Sequence, residues 1–248
     1  MLLTEIPNLI KCKKIYNLKN ISFNKIYTNS NSVSKSSIFI IEKKTKLKKK
    51  YIKEAITKGA IAIISNEFIP NLLITQFVVV NINLSLLNIL KTIRPNKPLN
   101  TIAITGTNGK TSVVWYISQI LNYNDILVKS YGTLGYYINL KKKYSSKLTT
   151  PDFTILHQTA YSSKKNLYNY VFEASSHALS QNRIKDLKVD TAALTNISRD
   201  HLDYHKDFKT YKKAKLKLFF NHLNESGWAV LNDKIKDIEI IKNKLRKK

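Results

Sequence analysis

The residues best equipped for chemistry lie between Thr101 and Ser112, in the run Thr-Ile-Ala-Ile-Thr-Gly-Thr-Asn-Gly-Lys-Thr-Ser. Gly106 and Gly109 let backbone N–H groups approach an anion with no Cβ in the way. With Thr107 and Asn108 between them, and Lys110, Thr111 and Ser112 behind, they read as a cradle for a nucleoside triphosphate. The N–H groups and helix dipole hold the phosphates, Lys110 reaches the terminal one, and the Thr111 hydroxyl suits Mg²⁺. The general phosphate-loop pattern carries another glycine five residues before its Gly-Lys pair, where this chain has Ile104. A bare Gly-Lys-Thr is an ordinary turn, so the assignment rests on context: a strand before the loop and a helix after it.

Three further side chains invite a role. Glu173 follows the apolar run Tyr170-Val171-Phe172, so it projects from a strand end, where a carboxylate can hold Mg²⁺ directly or through water. A capping or salt-bridged glutamate is the plainer alternative. His201 and His205 share a face if their segment is helical, a spacing that serves metals but is more often structural. Lys215 interrupts the apolar stripe of Phe208, Tyr211, Leu218 and Phe219 on a helix expected over Phe208 to Phe220, whereas Lys212, Lys213 and Lys217 point elsewhere. A lysine inside such a stripe either snorkels to water or loses its charge.

A sheet is needed to bring these groups together. Thr101 to Thr105 is a β-branched run that reads as a buried strand, and Val113, Val114, Ile117, Ile120 and Leu121 recur at helical spacing after the loop. Further strands are expected at Ile126 to Tyr131, ending at Gly132-Thr133, and at Tyr168 to Phe172, Val189 to Thr195 and Trp228 to Leu231. Asp152 starts a helix after Pro151, and Lys141 to Lys147 reads as a polar, basic loop. This alternation implies a mostly parallel sheet wrapped by helices, with ligands beyond the strand C-termini.

Upstream, Ile21 to Ile41 alternates as short strands, and Lys43 to Lys50 reads as a solvated loop and helix start. Tyr51 to Thr57 is an amphipathic helix stopped at Gly59. Ala60 to Ser65 and Phe77 to Asn81 read as strands, and Leu84 to Ile93 as a helix. Pro95 and Pro98 bracket a polar linker. The expectation is two α/β domains, 1–96 and 97–248.

The formal charge of +26 raises nucleic acid as a partner. The arginines are only Arg94, Arg183, Arg199 and Arg246, however, and lysine is the poorer planar phosphate reader. The bias toward Lys, Asn and Ile is what a genome rich in A and T produces, so only weak, salt-sensitive, nonspecific adhesion is expected. No apolar run approaches membrane-spanning length, and the first ten residues lack a signal peptide's order. Cys12 is the single cysteine. A cytoplasmic protein without intrachain disulfides or membrane insertion is expected.

Five motifs occur in one order: Gly-Thr-Asn-Gly-Lys-Thr (Gly106 to Thr111), Leu-Thr-Thr-Pro (Leu148 to Pro151), Glu-Ala-Ser-Ser-His (Glu173 to His177), Gln-Asn-Arg (Gln181 to Arg183) and Thr-Asn-Ile-Ser-Arg-Asp-His-Leu-Asp-Tyr-His (Thr195 to His205). With Lys215 after them they resemble the Mur ligase family, in particular its branch that adds the third amino acid to UDP-N-acetylmuramoyl-L-alanyl-D-glutamate. The resemblance implies an ATP cradle at Gly106 to Ser112 and a Mg²⁺ set of Thr111, Glu173, His201 and Lys215. It further implies that Lys215 is carbamylated by CO₂, and that Thr149, Thr150, Ser175, Gln181 and Arg183 grip the muramyl peptide. Over the first domain the likeness is weaker; it places uridine-binding residues at Thr28 and Ser30. Lys44 to Lys48 stands where the family carries a glycine-containing loop, and Leu148 replaces a polar residue.

The reaction implied is acyl activation: ATP phosphorylates the glutamate side-chain carboxylate, an amine attacks the acyl phosphate, and phosphate leaves. Lys110 and the metals would neutralise the transferred phosphoryl group. The family's third domain handles the incoming amino acid, meso-diaminopimelate or lysine. Here only a lysine-rich helical tail, Lys234 to Lys248, is expected after Asp233. A C-terminally truncated form, or one completed by a separately encoded C-terminal ligase domain, is therefore expected. Two other readings stay open: another Mur or folylpolyglutamate-type ligase, and a non-catalytic nucleotide-binding module with a basic surface.

Overall fold

A computed structural model describes residues 1–41, 48–236 and 238–246. The chain divides into two compact units, Met1–Asn96 with Tyr161–Lys164, and Lys97–Ala160 with Lys165–Lys248. Each is a mixed α/β unit built on one mostly parallel sheet.

The first unit contains β1 (Cys12–Tyr16), β2 (Lys25–Tyr27), β3 (Ser37–Ile40), α1 (Lys48–Thr57), β4 (Ala60–Ser65), β5 (Thr75–Val79) and α2 (Ile82–Ile93). Its sheet runs β1-β5-β4-β3-β2, with β1 antiparallel and the others parallel. The residues of β3 and β5 are all buried, as strands covered on both faces must be. The α2 helix starts where the Asn81 side chain accepts from the Leu84 N–H, a cap worth about 1 kcal/mol. It then buries Ile82, Leu86, Ile89 and Leu90. Strand β1 has no counterpart in the sequence reading: a five-residue edge strand with two exposed lysines carries little period-2 signal. The departure noted at Lys44 to Lys48 lies outside the described residues up to residue 47, and Lys48 opens α1.

The second unit continues with β6 (Thr101–Thr105), α3 (Lys110–Tyr123), β7 (Val128–Gly132), β8 (Gly135–Ile138), β9 (Lys141–Tyr144), α4 (Phe153–Ala160) and β10 (Asn169–Glu173). There follow α5 (Ser176–Ser180), β11 (Val189–Leu194), α6 (Leu202–His205), α7 (Phe208–Lys217), β12 (Leu223–Leu231) and α8 (Ile238–Arg246). The sheet order is β12-β11-β6-β10-β7-β8-β9; the first five are parallel and the last two antiparallel. A core of Ile104, Val114, Val128 and Val171, flanked by Val113, Ile117 and Leu121, presses α3 onto β6, β7 and β10. That packing fixes the start of α3 at the C-terminal edge of the sheet.

Three expectations are corrected. Lys141 to Lys147 is not a loop throughout: Lys141–Tyr144 forms edge strand β9, all four residues exposed, and lysines on an edge discourage pairing with another chain. The helix expected to reach Phe220 ends at Lys217 and passes into a π-type turn, Leu218–His222. His201 and His205 do not share a helical face, because His201 is left-handed (φ 51°) and precedes the single turn of α6.

Candidate active site

The loop between β6 and α3 is held by the segment after β11. The Thr195 hydroxyl donates to the Asn108 carbonyl at 2.6 Å, the Asn196 side-chain oxygen accepts from the Asn108 N–H at 3.0 Å, and the Asn196 carbonyl accepts from the Thr107 N–H at 3.1 Å. Gly106 has φ 149°, and a Cβ there would run into the Thr195 hydroxyl, so glycine is required by both backbone and space. The N–H groups of Lys110, Thr111 and Ser112 lie in the first turn of α3, ahead of any carbonyl four residues back in that helix. They are the donors that a phosphate would meet.

Glu173 ends β10 next to the loop, and its side chain is buried. Oε2 accepts from the Thr111 hydroxyl at 3.0 Å; Oε1 accepts from the Thr133 N–H at 2.7 Å, and the Thr133 hydroxyl lies 3.4 Å from Oε2. Among the described residues its partners are thus neutral. At Gly132 the reason is space alone, since a Cβ would overlap the Glu173 carboxylate. Thr133 was the neighbour that sequence reasoning passed over. The available signal was its place just past a parallel strand, in Gly132-Thr133.

Lys215 is buried rather than snorkelled, at 1% exposure. Its Nζ donates to the Gly106 carbonyl at 2.6 Å and lies 4.5 Å from the centre of the Tyr211 ring. Burial and the nearby Lys110 charge push its pKa down to about 7, against a smaller opposing pull from Asp200. Lys110 turns onto the same loop, donating to Gly106 O at 2.9 Å and Thr107 O at 2.7 Å. Burial lowers its pKa as well, opposed by Glu173 and Asp200.

The remaining candidates fall around these groups unevenly. The Thr150 hydroxyl donates to the Glu173 carbonyl at 2.6 Å and accepts from the Ser175 N–H at 3.0 Å, and Thr149 lies 3.2 Å from Thr133 through their hydroxyls. Arg183 donates to the Thr150 carbonyl at 3.0 Å and to the Gln181 side-chain oxygen. His201 is exposed and paired with Asp200 at 3.5 Å, but its ring centre is 4.8 Å from that of His177. Burial and the neighbouring His201 lower the pKa of His177. Lys110, Lys147, Thr149, Ser175, His177, Arg183, His201 and Lys215 all line one cavity of about 300 Å³. Thr28 and Ser30 belong to the first unit: Thr28 is exposed, and the Ser30 hydroxyl donates to Glu54 at 2.7 Å.

A buried carboxylate that makes no ion pair with any described residue, beside a threonine hydroxyl, is a set of hard oxygens that fits Mg²⁺. Among the described residues no group of three His, Cys, Asp or Glu side chains could hold a metal by itself. A cation here would bring phosphate oxygens and waters as its other ligands. Among the same residues no helix is long and apolar enough to cross a membrane.

Residues 104–248 match the Mur ligase middle domain. The UDP-N-acetylmuramoyl-L-alanyl-D-glutamate--2,6-diaminopimelate ligase of Rickettsia rickettsii is 38% identical over 245 residues, which is 96% of this chain and 50% of that protein. The Rickettsia montanensis protein of the same name is 41% identical over 201 residues, 79% of this chain and 42% of that one. A solved ligase of that name superposes with a TM-score of 0.67 at 27% identity, covering all of this chain and 50% of the other. MurF from Acinetobacter baumannii shares the fold at 17% identity, with a TM-score of 0.69 over 99% of this chain and 51% of its own. The chain thus spans about half the length of these relatives. It belongs to the Mur ligase family.

Proposed function

We propose that this chain carries the nucleotide-binding and muramyl-peptide-binding parts of an ATP-dependent amide ligase of peptidoglycan precursor synthesis. Its substrate would be UDP-N-acetylmuramoyl-L-alanyl-D-glutamate. The names of its relatives make 2,6-diaminopimelate the amino acid to test first. The observation that carries this reading is the contact between the phosphate-loop hydroxyl of Thr111 and the buried carboxylate of Glu173, next to Lys110, which lines the same cavity as Arg183 and Lys215.

On this reading the first turn of α3 and Lys110 bind the triphosphate of ATP, and Lys110 leaves its carbonyl partners for the terminal phosphate. Thr111 and Glu173 would hold Mg²⁺, which supplies charge neutralisation at the transferred phosphoryl group. Lys215 would add a carboxylate of its own. With a pKa near 7, much of it is a neutral amine at physiological pH, free to attack CO₂; the new N–C bond leaves a carbamate and one released proton. His201 is assigned to the metal side of the site, with Thr149, Thr150, Ser175, Gln181 and Arg183 on the peptide side. Thr28 and Ser30 would meet uridine. Domain 1–96 would be the substrate-binding domain and 97–248 the ATP-binding one, in a cytoplasmic enzyme.

The test is ligation with ATP, Mg²⁺, UDP-N-acetylmuramoyl-dipeptide and 2,6-diaminopimelate, run with and without a polypeptide matching the second half of the relatives. Tripeptide formed only with both polypeptides supports the reading. Failure of this chain to bind ATP–Mg²⁺ in a calorimetric titration would overturn it.

A further inference from the structure

Arg183 is held by a relay that begins one helix away. Its Nε donates to the Gln181 side-chain oxygen at 2.8 Å, one terminal nitrogen donates to the same oxygen, and the other donates to the Thr150 carbonyl at 3.0 Å. A guanidinium has five N–H donors. Three are committed here, which leaves two, one on each terminal nitrogen, to meet an anion from the cavity. Gln181 can hold Arg183 only with its amide oxygen, because Arg183 is purely a donor. The amide NH₂ must therefore face the other way, and there it donates to the Tyr204 hydroxyl at 3.1 Å.

Tyr204 is itself fixed. Its ring centre lies 4.2 Å from that of His177 at 36° and 4.8 Å from that of His205 at 83°. Two imidazoles thus set the position of a hydroxyl on an otherwise partly exposed side chain. His205, fully buried, anchors this group to α7 through Tyr211, with ring centres 5.3 Å apart. Phenylalanine at 204 would keep the rings stacked and remove only the atom that orients the amide.

We propose that Tyr204 is a positioning residue: through Gln181 it holds the Arg183 guanidinium in the orientation that grips a carboxylate of the substrate. This rests on the peptide-side assignment made above for Arg183. Tyr204 would then contribute to selecting an acidic acceptor over the same nucleotide lacking its terminal glutamate.

The experiment titrates the full chain calorimetrically with UDP-N-acetylmuramoyl-L-alanyl-D-glutamate, with UDP-N-acetylmuramoyl-L-alanine and with ATP–Mg²⁺. The parent should prefer the first nucleotide over the second. Tyr204→Phe should weaken the glutamate-bearing ligand about three- to tenfold, and leave the shorter ligand and ATP unchanged. Gln181→Ala should lose at least as much, and the double variant no more than Gln181→Ala alone, since Tyr204 acts through that amide. Equal loss for both UDP ligands, additive losses, or no change in Tyr204→Phe would overturn the proposal while the ligase reading stands. A parent that binds neither UDP ligand would remove that reading and this proposal together. Tyr204 is 40% exposed, so Tyr204→Leu, which also removes the hydroxyl, keeps the test open if Tyr204→Phe does not fold.

Discussion

Glu54 in the first unit and Glu173 in the second each accept from a hydroxyl, Ser30 at 2.7 Å and Thr111 at 3.0 Å. Their other oxygens differ. Glu54 meets the Lys58 ammonium at 2.6 Å, and Lys58 lies within 3.4 Å of the Ser30 and Asn31 carbonyls as well. Glu173 meets a backbone N–H, while the two lysines nearest the loop, Lys110 and Lys215, are turned onto the Gly106 carbonyl. One cluster is complete in itself. The other holds a carboxylate and an ammonium that form no direct ion pair among the described residues, and a buried charge without such a partner is costly unless something binds to it. On the function proposed, the second cluster is the one left open to a metal and a nucleotide, whereas the charge of Glu54 is already answered within its own unit.

Removing the loop cation should have the largest consequence. Lys110→Ala should weaken ATP–Mg²⁺ binding by about 10- to 100-fold, the range of one charge-assisted hydrogen bond, with the far-ultraviolet spectrum unchanged. Equal affinity in a calorimetric titration would take Lys110 out of the site. Glu173→Gln keeps groups that can meet Thr133 and Thr111 but loses the charge. Its affinity for ATP should fall roughly tenfold with Mg²⁺ present and be unaltered in chelator. A loss of equal size in both conditions would make Glu173 a brace for the loop rather than a metal ligand.

Lys215 sharpens the contrast through pH. Its unfolded pKa is near 10.5 and its folded value about 7. Between these the unfolded chain binds a proton that the native chain lacks, so native stability rises with pH, by at most about 1.4 kcal/mol per unit. Below pH 7 both forms are protonated and the dependence ends. In urea titrations the stability difference between parent and Lys215→Met should therefore shift in favour of the parent from pH 7 to 10. A pH-independent difference would mean that the ammonium is not destabilised where it sits. Under bicarbonate, mass spectrometry of the parent should show the added mass of CO₂ on Lys215.

Much of this site was legible in the sequence, because its parts are local. Thr101–Thr105 followed by Gly106 to Ser112 is a strand, a loop and a helix start whose periodicities change within a dozen residues, and the structure places strand β6 over those five residues. Lys215 was legible as a lysine on a buried stripe, although the stripe alone left snorkelling open. What escaped depends on distant chain. Thr133 matters only because β7 lies beside β10, and Tyr204 only because α6 faces Gln181. Strand β9 was hidden because three consecutive lysines look alike in a loop and on a solvated edge. The helical pairing of His201 with His205 failed on one backbone angle, which composition does not reveal.

The smallest expected effect lies in the first unit. Ser30 is buried, and its single donor is spent on Glu54. A serine hydroxyl keeps two acceptor lone pairs, so it can still receive the ring N–H of a uracil. Ser30→Ala removes one buried hydrogen bond, which should lower unfolding stability by about 1 kcal/mol. If the residue also serves uridine, UDP affinity should fall about three- to tenfold in the same variant. Glu54→Gln would retain an acceptor for Ser30 while losing the pairing with Lys58, and should leave UDP affinity unchanged. Loss of stability in Ser30→Ala with unaltered UDP binding would make the cluster purely structural, and the contrast between the two glutamates would then be complete. Loss of UDP affinity from Glu54→Gln as well would blur it, because the charge of Glu54 would then be acting on the ligand.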